Sequence, residues 1–155
     1  MIRSAEPADT GAVVELAVTA GLFAPEEAPF VAAMMAGYFG GAAEEGHRCL
    51  VDDADGLRAV AYRQPKPAAD RVWDLTMIAV RPGHQGRGLG TALLRHVEEE
   101  LRGDGQRLLL VDTSGTPPYD RARTFYAGCG YAEEARVRDY WADGDDLVVF
   151  RKALT

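Results

Sequence analysis

Fourteen residues near the middle of the chain, Ile78-Ala79-Val80-Arg81-Pro82-Gly83-His84-Gln85-Gly86-Arg87-Gly88-Leu89-Gly90-Thr91, have the types and spacing to hold a phosphate. An apolar run breaks at Arg81-Pro82-Gly83, glycines recur at 86, 88 and 90, and a helical pattern begins at Leu89. A strand–glycine–helix turn of this kind aims several backbone N–H groups at one point, where the helix dipole adds positive potential. Glycine leaves room for an oxyanion to approach and permits positive φ. The charge pattern agrees: Arg81, Arg87 and Arg95 lie in a stretch without acids, in a chain of net charge −7. Each charge-assisted hydrogen bond contributes about 1.5–3 kcal/mol. A few of them supply much of the roughly 8 kcal/mol of micromolar binding, once ordering costs are met.

Other glycine-rich chemistries fit less well. A Walker loop ends in Gly-Lys-Ser/Thr, which is absent, and Gly86-Arg87-Gly88-Leu89-Gly90 is GxGxG rather than the GxGxxG of dinucleotide folds. Metal chemistry has no ligand set, since His47, His84 and His96 form no HExxH pattern. Cys49 and Cys129 are too far apart for a paired-ligand motif, and no disulfide scaffold is expected. A chain of 155 residues with 47% hydrophobic and 26% charged residues is expected to form a single domain, 1–155, around a sizeable core. Its acidity argues against nucleic acid and anionic membranes as partners. No apolar run is long enough to span a bilayer and no signal peptide is apparent, so a cytoplasmic location is expected.

The elements that must position the glycine segment can be read from periodicity. A first helix starts near Asp9 or Thr10, carries Val13, Leu16, Ala17 and Ala20 on one stripe and stops at Gly21. A second runs from Pro25 to about Tyr38, with Phe30, Met34 and Met35 inside. Strands at 48–52 and 57–63 flank the hairpin signal Asp53-Ala54-Asp55-Gly56. A longer strand, 71–80, leads into the glycines. The helix from Leu89 to Leu101 buries Leu89, Leu93, Val97 and Leu101, leaves Glu98, Glu99 and Arg102 mostly wet and ends at Gly103. Leu108-Leu109-Leu110-Val111 reads as a strand buried on both faces. A helix at 119–127 and two strands, 132–140 and 147–152, complete a mixed α/β sheet.

At this point a resemblance becomes specific. Gln85-Gly86-Arg87-Gly88-Leu89-Gly90 resembles the Q/R-x-x-G-x-G/A acyl-CoA loop of the GNAT N-acetyltransferase superfamily. Ala122-Arg123-Thr124-Phe125-Tyr126-Ala127-Gly128-Cys129-Gly130-Tyr131 is similar to that family's A-x-x-F/L-Y-x-x-x-G-F/Y segment. The two matches come in the family's order with a buried strand between them.

The resemblance implies a single-domain GNAT-like fold, whose largely antiparallel mixed sheet splays between its two central strands to admit a pantetheine arm. It implies acetyl-CoA as co-substrate. Ile78, Ala79 and Val80 would bind the pantetheine arm; the amides of Gln85, Gly86, Arg87, Gly88, Leu89 and Gly90, with Thr91, would hold the diphosphate. Arg87 and Arg81 would assist electrostatically. An asparagine common in the family three residues before Ala122 is replaced by Tyr119, which removes one side-chain contact to the cofactor.

Acetyl transfer to an alkyl amine poses a proton problem. With a pKa of about 10.4, only about one amine in a few thousand is nucleophilic at pH 7. The resemblance puts Tyr126 beside the departing thiolate as general acid and a carboxylate base near Asp74, six residues before Val80. Alternation puts Asp74 on one strand face with Thr76 among Val72, Ile78 and Val80, surroundings that raise a carboxyl pKa. Asp112 is a second candidate base. Cys129 is read as a small buried side chain, Phe125 as core, and His84 as facing solvent or phosphate; the sequence alone assigns no role to His47 or His96.

Residues 131–150 are acidic, which suits a cationic amine acceptor, either a small molecule or a protein. Tyr140 and Trp141 either wall the acceptor pocket or seal a homodimer. The expected activity is direct acetyl transfer from acetyl-CoA to a primary amine in a ternary complex. The competing reading is a non-catalytic acyl-CoA-binding regulatory module.

Overall fold

The computed structural model describes residues 1–155. Seven strands, β1 (Ile2–Ser4), β2 (Arg48–Asp53), β3 (Leu57–Pro65), β4 (Val72–Val80), β5 (Leu108–Ser114), β6 (Ala132–Ala142) and β7 (Asp145–Ala153), form one mixed sheet in the order β1-β2-β3-β4-β5-β7-β6. The helices are α1 (Thr10–Thr19), α2 (Ala28–Phe39), α3 (Leu89–Gly103) and α4 (Asp120–Gly128). The expected mixed α/β architecture is present. β1 is an addition, for three residues are too few to show alternation; Arg3 pairs opposite Val51. The chain divides into two compact units, Met1–Gln64 with Met77–Val97 and Pro65–Thr76 with Glu98–Thr155.

In the first unit, α1 follows a turn in which the Asp9 carboxylate accepts from the Glu6 amide at 2.7 Å and from Arg3 at 2.8 and 3.1 Å. It buries Val13, Leu16 and Ala17 and ends at Gly21, whose φ of +80° only glycine adopts without strain. α2 buries Val31, Met35 and Tyr38, a single stripe at i, i+4 and i+7. Phe30, expected inside, is 63% exposed because it precedes that stripe by one residue, about 100° around the helix; Met34 is partly buried. These stripes pack with Cys49, Val51, Val60, Tyr62, Met77 and Ala79. Full burial of each large side chain contributes about 1.5–3 kcal/mol. The β2–β3 turn is the expected Asp-Gly hairpin, with the Gly56 amide donating to Asp53 Oδ1 at 3.2 Å.

In the second unit, β4 and β5 run parallel through four pairs, from Val72↔Leu108 to Leu75↔Val111. There their ladder stops, although β4 continues to Val80 and β5 to Ser114. β7 holds β5 throughout, with Asp112↔Val149 and Ser114↔Leu147. Alternation along β5 buries Leu109, Val111 and Thr113, whereas Leu108 and Leu110 are half-buried, so the strand is not fully enclosed on both faces. Phe125, expected in the core, is also only half-buried. β6 is exposed along its whole length.

Two expectations about α3 change. Glu98 is 2% exposed rather than wet, since it lies one turn past Leu94 on the buried stripe. The helix also runs through Gly103, and Gly105 takes the left-handed φ of +73° that closes it.

Candidate active site

The last residues of β4 feed directly into the glycine loop. Gly83, Gly86 and Gly88 have φ of +91°, +77° and +78°, so three turns of the path demand glycine. The first helical bond of α3 runs from the Ala92 amide to the Gly88 carbonyl at 2.9 Å. The amides of Leu89, Gly90 and Thr91 therefore have no partner within the helix. Those of Gly86, Arg87 and Gly88 make no backbone hydrogen bond either. Positions 85–88 are solvent-exposed, and a Cβ at Gly86 or Gly88 would meet nothing within 4 Å. Exposed, unpaired donors at a helix start, with open space before them, fit a diphosphate.

Several neighbours have different roles from those expected. Arg81 holds Glu15 through two 2.9 Å bonds, and its Nε donates to the Leu57 carbonyl at 2.9 Å. It anchors the start of the loop to α1 and β3, and its guanidinium is committed there. Arg87 is exposed in the loop. Gln85 Nε2 donates to the Val80 carbonyl at 3.2 Å, closing the loop on the strand that feeds it. His84 is half-buried, and its Nδ1 is enclosed without a hydrogen-bond partner. His47 does have a partner, the Tyr62 hydroxyl at 2.7 Å.

The carboxylates belong to the second unit. Asp74 stands opposite Leu110 in the β4–β5 ladder, so Asp112, two residues on, shares its face. Lys66 Nζ lies 3.5 Å from Asp74 Oδ2. Partial burial and then repulsion from Asp74 hold the Asp112 carboxyl above the usual range, while Lys66 pulls it down. Lys66 is the contact that sequence reasoning missed, because nothing in Pro65-Lys66-Pro67 distinguishes it from a solvated lysine.

Tyr126 is 6% exposed on α4, with its ring 5.6 Å from Phe150 and 6.0 Å from Tyr131. Burial, assisted by the neighbouring Cys129 thiol, raises its hydroxyl well above the ordinary value, so the phenol is protonated at neutral pH. No hydrogen bond joins Tyr126 to Asp74 or Asp112, so the structure brings the two carboxylates together but does not link the phenol to them. Its carbonyl accepts from the Tyr131 amide at 3.0 Å, which ties the end of α4 to the start of β6. Trp141 Nε1 donates to the Thr113 carbonyl at 3.2 Å, and Tyr140 stacks edge-on against Trp141 at 4.7 Å. Both rings are about half exposed. No cluster of His, Cys, Asp or Glu is arranged to hold a metal.

The profile of the acetyltransferase (GNAT) family matches residues 16–131, three quarters of the chain, including the glycine loop and the Tyr126 segment. The chain belongs to this family. Membership brings acetyl-group transfer as the activity and acetyl-CoA as the co-substrate. Among solved structures, this acetyltransferase is similar to a protein assigned to the GNAT family from Desulfovibrio desulfuricans. The two are 32% identical, over 100% of this chain and 99% of that one, with a TM-score of 0.94. The same fold is shared with the ribosomal-protein-S18-alanine N-acetyltransferase of Escherichia coli, at 23% identity, 100% and 94% coverage and a TM-score of 0.81. It is shared also with a Salmonella typhimurium protein solved with its cofactor acetyl-CoA, at 21% identity, 100% and 94% coverage and a TM-score of 0.81. No functionally curated protein matches the chain.

Proposed function

We propose that this GNAT acetyltransferase moves an acetyl group from acetyl-CoA to a primary amine by direct attack. The observation that carries the reading is the run of unpaired amides from Gly86 to Thr91 at the start of α3. When bound, acetyl-CoA supplies an acetyl group activated as a thioester. The amides of Gln85 to Gly90 and Thr91 bind its diphosphate, with Arg87 adding charge. Ile78, Ala79 and Val80 present backbone groups to the pantetheine arm; the Val80 carbonyl already accepts from Gln85, so its amide is the group offered.

Tyr126 holds its proton at neutral pH and donates it to sulfur as the thioester opens, a role worth about 10²-fold or more in rate. The acceptor arrives as an ammonium and must lose a proton before it can attack. A carboxylate on the face that carries Asp74 takes that proton. The exposed Tyr140–Trp141 pair and the acidic β6–β7 segment suit an acceptor with a cationic amine. Several acids of that segment are also structural: Asp146 pairs with Arg136 at 2.9 Å, and Asp145 accepts from Ser114.

A thiol-release assay with acetyl-CoA and a panel of small amines, amino acids, aminoglycosides and N-terminal peptides tests the reading. Turnover on at least one amine, with acetylated amine and free thiol in equal amounts, is the expected result. Saturable cofactor binding without transfer to any amine would favour the non-catalytic acyl-CoA-binding module.

A further inference from the structure

We infer that Glu15, on α1, is a positioning residue for the acetyl-CoA loop: through Arg81 it holds the chain in the path that leaves the amides of Gly86 to Thr91 free. The inference rests on the reading above, in which those amides bind the coenzyme's diphosphate, and adds a residue from outside the loop. Arg81 is the first residue after β4 and leads into Pro82-Gly83. Glu15 takes both terminal nitrogens of its guanidinium at 2.9 Å, each on its own carboxylate oxygen. A two-point contact of this kind fixes the plane of the guanidinium as well as its distance. The remaining Nε donates to the Leu57 carbonyl at 2.9 Å, and the Arg81 amide donates to the Arg58 carbonyl at 2.7 Å. The Arg81 carbonyl in turn accepts from the His84 amide at 3.0 Å, forming the first turn of the loop.

Side chain, amide and carbonyl of one residue therefore tie α1, β3 and the loop together, all within the first compact unit. At its far end the loop is fixed by the Ala92 amide on the Gly88 carbonyl at 2.9 Å. Between these anchors Gly86, Arg87 and Gly88 are exposed, and their amides make no backbone bond. A segment held so lightly must be ordered when a ligand binds, and an anchor at its entry lowers that entropic penalty. Charge alone predicts the opposite effect. The Glu15 side chain is 56% exposed, and removing an acid from a chain of net charge −7 should favour an anionic coenzyme. It would also release the Arg81 guanidinium to approach a phosphate. The sign of the effect thus separates an anchor from a counter-ion.

Calorimetric titration of acetyl-CoA into full-length wild type, Glu15→Ala, Arg81→Met and the double variant reads that sign. Alanine suits a helix interior, so α1 is kept. Glu15→Ala should raise Kd about threefold to fivefold, the scale of a partly exposed ion pair. Arg81→Met, which also loses the Leu57 bond, should raise it about tenfold. The double variant should match Arg81→Met within about twofold, because both substitutions break the same link. With an amine found in the panel, Glu15→Ala should raise KM for acetyl-CoA by the same factor and leave kcat at saturation within about twofold of wild type. A role confined to stability would shift the melting temperature and none of these. Unchanged or tighter binding by Glu15→Ala, or losses that add in the double variant, would overturn the inference. A wild-type protein that gives no saturable heat would instead remove the coenzyme reading, and this anchor with it.

Discussion

The Glu98 carboxylate lies 2.9 Å from the Lys152 ammonium with only 3% of the Glu98 side chain exposed. Tyr131 donates its hydroxyl to the other carboxylate oxygen at 2.7 Å, and Lys152 also donates to the Cys129 carbonyl at 2.8 Å. A buried charge is tolerable only when paired and hydrogen-bonded in this way. The network joins α3, β7 and the end of α4, the helix that presents Tyr126. Lys152→Met leaves the Glu98 carboxylate with only the Tyr131 hydroxyl and the more distant Arg102 guanidinium, at 3.7 Å, and should destabilise the protein by about 1–3 kcal/mol. Adding Glu98→Gln should recover part of that loss, as read by urea denaturation.

Tyr126→Phe removes one oxygen from a buried ring and leaves its packing against Phe150 and Tyr131 intact. Turnover should fall about 10²-fold while acetyl-CoA affinity stays nearly unchanged. Unaltered kcat at saturating substrates would take Tyr126 out of the mechanism.

Gly88 has φ of +78°, and its carbonyl starts the α3 ladder. A β-branched side chain there strains the backbone and redirects the free amides. Gly88→Val should weaken acetyl-CoA binding by at least about tenfold, a loss of about 1.4 kcal/mol, with calorimetry as the measure. Phe30→Ala, at an exposed side chain of α2, serves as the control and should leave affinity unchanged.

Acid stability follows from Arg3. Its hydrogen bonds hold the Asp9 and Asp53 carboxyls below their usual range, as Arg81 does for Glu15. A carboxyl depressed in the folded state contributes stability above its unfolded value of about 3.9–4.3. It loses that contribution as pH falls through the lower folded value. Unfolding free energy should therefore be nearly flat between about pH 7 and 5 and decline below about pH 4. Arg3→Ala should make the decline shallower, as measured by denaturant titration at a series of pH values.

Much of this was legible in the sequence where one local signal decided the outcome. Gly21 and the Asp53–Gly56 turn behave as their residue types require, and Gly83, Gly86 and Gly88 take the positive φ that their type permits. Periodicity failed where the stripe was misplaced by a residue, as at Phe30, or where a distant partner decided burial. Glu98 looks solvated until Lys152 and Tyr131 are brought to it, a separation of 54 and 33 positions. Arg81 similarly reads as a phosphate ligand until Glu15, 66 positions away, is found holding it. Lys66 escaped notice because nothing local distinguishes an ion pair across a chain reversal from a solvated lysine.

Titration of acetyl-CoA into the purified protein, followed by calorimetry, addresses the central claim most directly. Free amides from Gly86 to Thr91 predict a saturable, one-to-one isotherm with a dissociation constant in the micromolar range, corresponding to about 8 kcal/mol, and a marked weakening in Gly88→Val. Absence of any saturable heat at millimolar cofactor would contradict the account.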